Sequence, residues 1–300
     1  MVKKLSYSLI IGFLLLPHLI FSRSPNQKKP NIIFIMADDM GYETLGCYGN
    51  DRNQTSNLDK MADQGMMFTQ AYSTPLSTPT RNQVMTGKYN FRNYIGFGLL
   101  DEEEETFGNL LEEEGYITTI TGKWQLLGYE SQQKLAGGQR GSYPTDAGFD
   151  EYCLWQVDAL GARYKHPTLS IKERGQWHGR FKRHETKIHE GEYGPDICTN
   201  HAIKFMEEHR DTSFFLYYPM NLPHSPFQPT PDNPRYDSWD PSKTPYKDNK
   251  GRLNDTAYFQ DMVEYIDKIV GRFVNKVHEL GISENTLVIF TADNGTDTRI

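Results

Sequence analysis

Two polar pairs stand where chemistry is easiest to place. Asp38-Asp39 follows the apolar run Asn31–Ala37 (NIIFIMA), and Asp293-Asn294 follows Thr286–Ala292 (TLVIFTA). Such runs read as strands of a parallel sheet, and ligands of these sheets gather beyond the carboxyl ends of the strands. The pairs then offer hard oxygen donors to one ion, Ca²⁺ or, by the same chemistry, Mg²⁺. No histidine or cysteine adjoins either pair to favour zinc. Each pair alone is more often a turn; the repetition after matching runs points to a metal.

The second group is Ser77-Thr78-Pro79-Thr80-Arg81. Pro79 suits the first residue of a helix, where its missing N–H costs nothing. Ser77 then lies at a helix N-terminus, a place that favours anions, and Arg81 is spaced to reach back with a forked donor for a tetrahedral oxyanion. A lone Ser-x-Pro is usually an ordinary cap, so its weight comes from the acidic pairs. Lys123 follows another strand candidate, and His224 sits between Pro223 and Ser225-Pro226 in a stiff loop. Alone, the lysine reads as a surface residue, and the histidine reads equally well as a structural hydrogen bonder.

These residues need a scaffold, and the pattern supplies one. Strand candidates are Asn31–Ala37, 116–121, 214–218 and Thr286–Ala292, with the first and last expected at the centre of the sheet. Between them, 106–114 and 256–280 have helical spacing and stop at Gly115 and Gly281. Alternating strands and helices predict an α/β fold, a mostly parallel central sheet with helices on both faces. Residues 158–194 lack a period and read as a rim insertion whose His178, His184 and His189 are solvated.

Bulk properties narrow the class. Thirty-two Lys and Arg against 39 Asp and Glu leave a charge of −7 with no basic stripe, which argues against nucleic acid as a partner. Lys3 and Lys4 precede the apolar run 5–21, broken by Pro17, and Ser22 closes it. That is a secretory signal over 1–22, followed by a linker over 23–30 and one catalytic domain over 31–300. The mature chain is then expected outside the cytoplasm, with no membrane segment. Cys47, Cys153 and Cys198 are too few and too scattered for a disulfide scaffold and read as buried thiols.

Several segments together resemble the formylglycine-dependent (type I) sulfatases of the alkaline phosphatase superfamily. They are PNIIFIMADDMGY from Pro30, SNLDKMADQGMMFTQAYS from Ser56, STPTR from Ser77, TGKW from Thr121, NLPHSPF from Asn221 and TLVIFTADNG from Thr286. STPTR is the serine form of that family's maturation motif, and the segments follow the family's order. The resemblance implies that Asp38, Asp39, Asp293 and Asn294 bind calcium, with residue 77 as a further ligand. It implies that a maturation enzyme oxidises Ser77 to formylglycine, whose hydrate attacks sulfur with one hydroxyl and expels sulfate through the other. Arg81 would hold residue 77, Lys123 would bind a sulfate oxygen and His224 would face the leaving group. The implied substrate is a sulfated small molecule or glycan, and the implied location is the periplasm or exterior of a bacterium.

Two features depart from that pattern. The family usually has histidine two residues after the lysine, and here Gln125 can hydrogen-bond but cannot take a proton at neutral pH. The family also continues past the DNG motif with another lysine and a smaller subdomain, so the sequence reads as C-terminally truncated and is expected to be inactive or poorly folded as it stands. The rival readings are a phosphatase or phosphodiesterase of the same superfamily using Ser77 directly, and a catalytically silent binder of sulfated glycans.

Overall fold

The computed structural model describes residues 28–175, 185–240, 255–298 and 300. The proposed signal segment, His178 and His184 lie outside them. Seven strands, β1 Asn31–Ala37, β2 Ile117–Lys123, β3 Glu151–Trp155, β4 Thr168–Lys172, β5 Glu185–Ile188, β6 Phe214–Pro219 and β7 Thr286–Ala292, form one sheet. Their order is β5-β4-β3-β2-β6-β1-β7. The pairs from β3 through β2, β6 and β1 to β7 are parallel, and β4 and β5 add two antiparallel pairings at the far edge. The fold is therefore α/β with a mostly parallel mixed sheet, as the alternation predicts.

The helices are α1 Ser56–Gln64, α2 Ser77–Thr86, α3 Asn90–Asn93, α4 Phe107–Glu113, α5 Glu130–Leu135, α6 Gly194–Glu208 and α7 Phe259–Glu279. Period-two alternation sends neighbouring strand residues to opposite faces. Ile33, Ile35, Leu216 and Tyr218 pack with α6 and α7 residues such as Phe205, Ile266 and Phe273. Met36, Phe215 and Tyr217 pack on the other face with Met85 of α2 and Phe107 of α4. Both faces of the central strands are thus covered.

Three expectations need correction. β7 is an edge strand among the described residues, bonded to β1 alone, with Leu287 52% and Ile289 37% exposed. An apolar run shows that both faces suit burial, but it carries no information on how many neighbours a strand has. The aperiodic stretch 158–194 is more than a rim loop, since it contributes β4 and β5. His189 is not solvated: its side chain is 10% exposed and contacts Glu192 at 3.2 Å.

Lys123 owes its place to the glycine before it. Gly122 has a φ of +112, and a Cβ there would lie 2.1 Å from the Pro219 carbonyl oxygen of β6. Any other residue would push these strands apart and displace the lysine.

Candidate active site

The carboxyl ends of β1, β2, β6 and β7 converge through backbone bonds. Asp38 N–H donates to the Leu222 carbonyl at 2.9 Å and Asp293 N–H to the Ala37 carbonyl at 3.0 Å. Beyond β1, β2 and β3, the non-glycine residues Asp39, Gln125 and Gln156 adopt left-handed φ angles of 61°, 50° and 60°. Each such residue costs on the order of 1 kcal/mol, and outliers of this kind gather at functional sites.

Helix α2 starts at Ser77 rather than at Pro79. Leu76 is extended and accepts the Thr80 N–H at 3.3 Å, so Pro79 becomes the third helical residue. Its missing N–H still costs nothing there, because the first-turn amides have no partner within a helix. Ser77 therefore keeps its place at the positive end.

Lys123 ties the parts together. Its Nζ donates to both Asp38 carboxylate oxygens at 2.8 Å and to Ser77 Oγ at 3.0 Å. Lysine and aspartate side chains are 3% and 2% exposed. Asp293 lies near enough for the Ser77 hydroxyl to favour its charged form, and its carboxylate accepts the Asp39 N–H at 3.1 Å. Asn294 Nδ2 donates to Asp39 Oδ1 at 2.6 Å. All four acidic or amide residues named from the sequence thus meet around Ser77.

Arg81 is placed otherwise than its spacing suggested. It is fully buried and its guanidinium donates to the Lys123 and Trp124 carbonyls, both at 2.6 Å. It fixes the strand end that carries Lys123 instead of reaching back to an anion. Gln125 is half-buried, and its N–H donates to the Gln156 carbonyl at 3.0 Å, which continues the β2–β3 pairing.

His224 joins the cluster, with Nε2 3.4 Å from Asp39 Oδ2. Its Nδ1 lies 2.9 Å from Arg163 Nη1 and 2.6 Å from the Ser225 carbonyl. The buried Tyr164 hydroxyl lies within hydrogen-bonding reach of the Asn221 and His224 carbonyls, at 2.6 and 2.5 Å, and pins the loop. Arg163 also stacks over the Trp155 ring at 4.3 Å. Sequence reasoning missed Arg163 and Tyr164, whose segment shows neither period nor motif.

Electrostatics follow from burial and crowding. Asp293 is pushed up to about 6, first by burial and then by the Asp38 charge, against the pull of Lys123. Burial also raises Asp38, opposed by Lys123. His224 is driven down to about 3 by burial, then by the Arg163 and Lys123 charges, with Asp39 pulling the other way.

The donor set fits a hard divalent cation. Oxygens of Asp38 and Asp39 and a nitrogen of His224 lie within 4.8 Å of one another. Asn294 Oδ1 is buried without a hydrogen-bond partner, an unused acceptor of the kind a cation takes. Lys123 touches Asp38 and its charge also reaches Asp293, so these crowded carboxylates have one buried cation among them and added positive charge would relieve their repulsion. Oxygen donors predominate, which suits Ca²⁺ or Mg²⁺.

Comparisons with known proteins point to one family. The family model described as "Sulfatase" matches residues 30–299. The chain is 30% identical over 295 residues to the N-acetylgalactosamine-6-sulfatase of Canis lupus familiaris, covering 89% of this chain and 50% of that protein. It is 29% identical over 322 residues to the N-acetylgalactosamine-6-O-sulfatase of Bacteroides thetaiotaomicron, covering 90% and 60%. Among solved structures, Ps i-CgsB superposes with a TM-score of 0.69 at 26% identity, covering 91% of this chain and 60% of that one. The chain spans about half the length of the curated relatives it matches.

Proposed function

Because the chain belongs to the sulfatase family, we propose that it is the part of a sulfuric ester hydrolase that holds the metal and the residue attacking sulfur. The observation that carries this reading is Lys123 Nζ bridging Asp38 and Ser77 Oγ, with Asp293 on the other side of that hydroxyl. Asp38, Asp39, Asp293 and Asn294 would hold Ca²⁺ or Mg²⁺, with an oxygen of residue 77 completing the set. Such an ion would supply Lewis acidity, lowering the proton affinity of that oxygen and offsetting charge on sulfuryl oxygens.

The chain's own residues divide the remaining work. Ser77, oxidised to formylglycine by a maturation enzyme and hydrated, would present the attacking hydroxyl. First-turn amides of α2 and the Lys123 ammonium face the place where a sulfate oxygen would gain charge. Arg81 acts through Lys123, by holding the backbone carbonyls of Lys123 and of the residue after it. Burial and the Arg163 and Lys123 charges hold His224 neutral at pH 7, so it offers a hydrogen bond rather than a full proton. An arriving sulfate monoester is an anion and would offset the part of the depression that the two cations add to burial, which moves the imidazole towards general acid duty. Gln125 can bond the hydrate or a sulfate oxygen but takes no proton.

The best-supported substrate is a sulfated carbohydrate, in keeping with relatives named as N-acetylgalactosamine-6-sulfatases. N-acetylgalactosamine 6-sulfate is the first compound to try. The basic and apolar character of residues 1–22 supports export; among the described residues no helix is long and apolar enough to cross a membrane. The test is the mass of the Ser77 peptide from a host able to mature it. Oxidation removes about 2 Da. An intact serine together with release of phosphate rather than sulfate would replace this reading with a phosphatase.

A further inference from the structure

Cys153 and Cys198 meet inside the molecule although 45 positions separate them in sequence. Cys153 lies in β3 and Cys198 near the start of α6. Their sulfur atoms stand 4.0 Å apart, and both side chains are buried in the core on one face of the sheet, with Phe205, Leu216 and Tyr218. The Thr121 hydroxyl lies within hydrogen-bonding reach of both cysteine carbonyls, at 3.2 and 3.0 Å, which fixes the two backbones beside each other. The third cysteine, Cys47, is only half-buried.

The pair brackets a segment with no sequence period. Residues 156–193 leave the sheet after β3 and return at α6, and they carry β4, β5, Arg163 and Tyr164. The outer edge of this segment gains little from burial, since all four residues of β5 are exposed. Its base nevertheless supports the candidate site. Gly194 N–H donates to the Tyr164 carbonyl at 2.8 Å, and the Tyr164 hydroxyl pins the His224 loop. A link between the two cysteines would close the segment and remove conformations from the unfolded chain, a gain that grows with loop length. Bonding needs the sulfurs to approach by about 2 Å, which small side-chain rotations supply. A disulfide is uncharged and suits an apolar core, whereas a metal ion held by two thiolates would bring charge into it.

We propose that Cys153 and Cys198 form a disulfide in the mature protein, stapling the base of residues 156–193. The oxidant is itself a disulfide, of a thiol–disulfide oxidoreductase or of glutathione, and meets the chain before the core closes. One cysteine thiolate attacks it, forming a mixed disulfide and expelling one thiol. The second cysteine thiolate attacks the first cysteine's sulfur, forming the internal bond and expelling the other thiol. Two protons and two electrons thus pass from the pair to the oxidant, which is reduced to two thiols. The proposal stands independently of the sulfatase reading.

Peptide mapping of the full-length gene product tests it, with the protein made in a bacterial cytoplasm held oxidising and, in parallel, in a reducing one. Each sample is denatured in an alkylating agent without reductant and then digested. The oxidised sample should hold the Cys153 and Cys198 peptides joined, about 2 Da below their summed mass. Separate alkylation of these two cysteines in that sample, or joining of either to Cys47, would overturn the disulfide. Limited proteolysis of the native samples reads the staple. Cleavage within residues 156–193 should be about tenfold faster in the reduced protein. Equal rates for linked and unlinked protein would overturn the stapling role.

Discussion

Two acid–histidine contacts lie at opposite ends of the sheet. At the carboxyl ends His224 approaches Asp39 at 3.4 Å; at the amino end of β3 His201 approaches Glu151 at 3.6 Å. Burial is the first cause of depression in both histidines, to about 3 and about 4. A perturbed histidine is therefore not by itself the mark of a reactive centre. The difference lies in what surrounds each. His224 meets Arg163, Lys123 and the ends of several strands, among residues with strained backbone and unpartnered polar atoms. His201 sits against Thr119 Oγ1 and Glu151, and Glu151 rises to about 7, chiefly through burial. At the amino end burial pushes both members of the pair towards their neutral forms; at the carboxyl ends the buried Lys123–Asp38 ion pair opposes that push.

The comparison predicts unequal responses to substitution. Lys123→Met should be the most severe change, abolishing sulfate release by the full-length gene product and leaving Asp38 buried without its cation. Loss of one partner of such a pair costs about 3–5 kcal/mol. Urea unfolding in a chelator would show it, and added Ca²⁺ should restore part of the loss. A cost below about 1 kcal/mol would mean that the cluster is no more charged than the amino-end pair.

Next is Glu151→Gln, read through pH. Glu151 rises from 4.5 to about 7 on folding, so its contribution is full below its unfolded value and is lost as pH climbs through 7. His201 falls from 6.5 to about 4, so its contribution is present above 6.5 and is lost as pH drops through 4. Between about 4.5 and 6.5 the two slopes oppose and largely cancel. The glutamine variant should be the more stable protein at pH 8, by on the order of 1–3 kcal/mol. Its stability should also fall more steeply than the parent's from pH 6.5 to 4. Parallel stability curves for variant and parent would show that Glu151 does not hold its proton.

Gln125→His is the mildest. In the full-length gene product a base beside Lys123 should raise sulfate release roughly tenfold without altering metal affinity. Unchanged turnover would place the family's proton transfer elsewhere in this chain.

Much of this centre could be read before any fold was known. The bounds of β1 and β7 follow from their apolar runs, and polar pairs directly after such runs must emerge at one sheet end. Lys123 follows by the same logic once β2 is placed. Other parts depend on contacts that spacing does not encode. Arg163 meets His224 across 61 residues, and β4 and β5 are short strands in a polar segment. Arg81 illustrates the limit on a smaller scale. Helical spacing gave its reach towards Ser77, while packing against β2 turned its guanidinium to two carbonyls. β7 misled differently, because apolar composition fixes which faces are fit for burial and not which are covered.

The central claim is that the carboxyl-end acids form a metal-assisted centre, whereas the amino-end pair does not. Ca²⁺ titration of the protein beside Asp293→Asn and Glu151→Gln tests this directly. One ion should bind the parent and Glu151→Gln alike, with affinity reduced at least tenfold in Asp293→Asn. Absence of binding in the parent, or binding that Asp293→Asn leaves intact, would contradict the account.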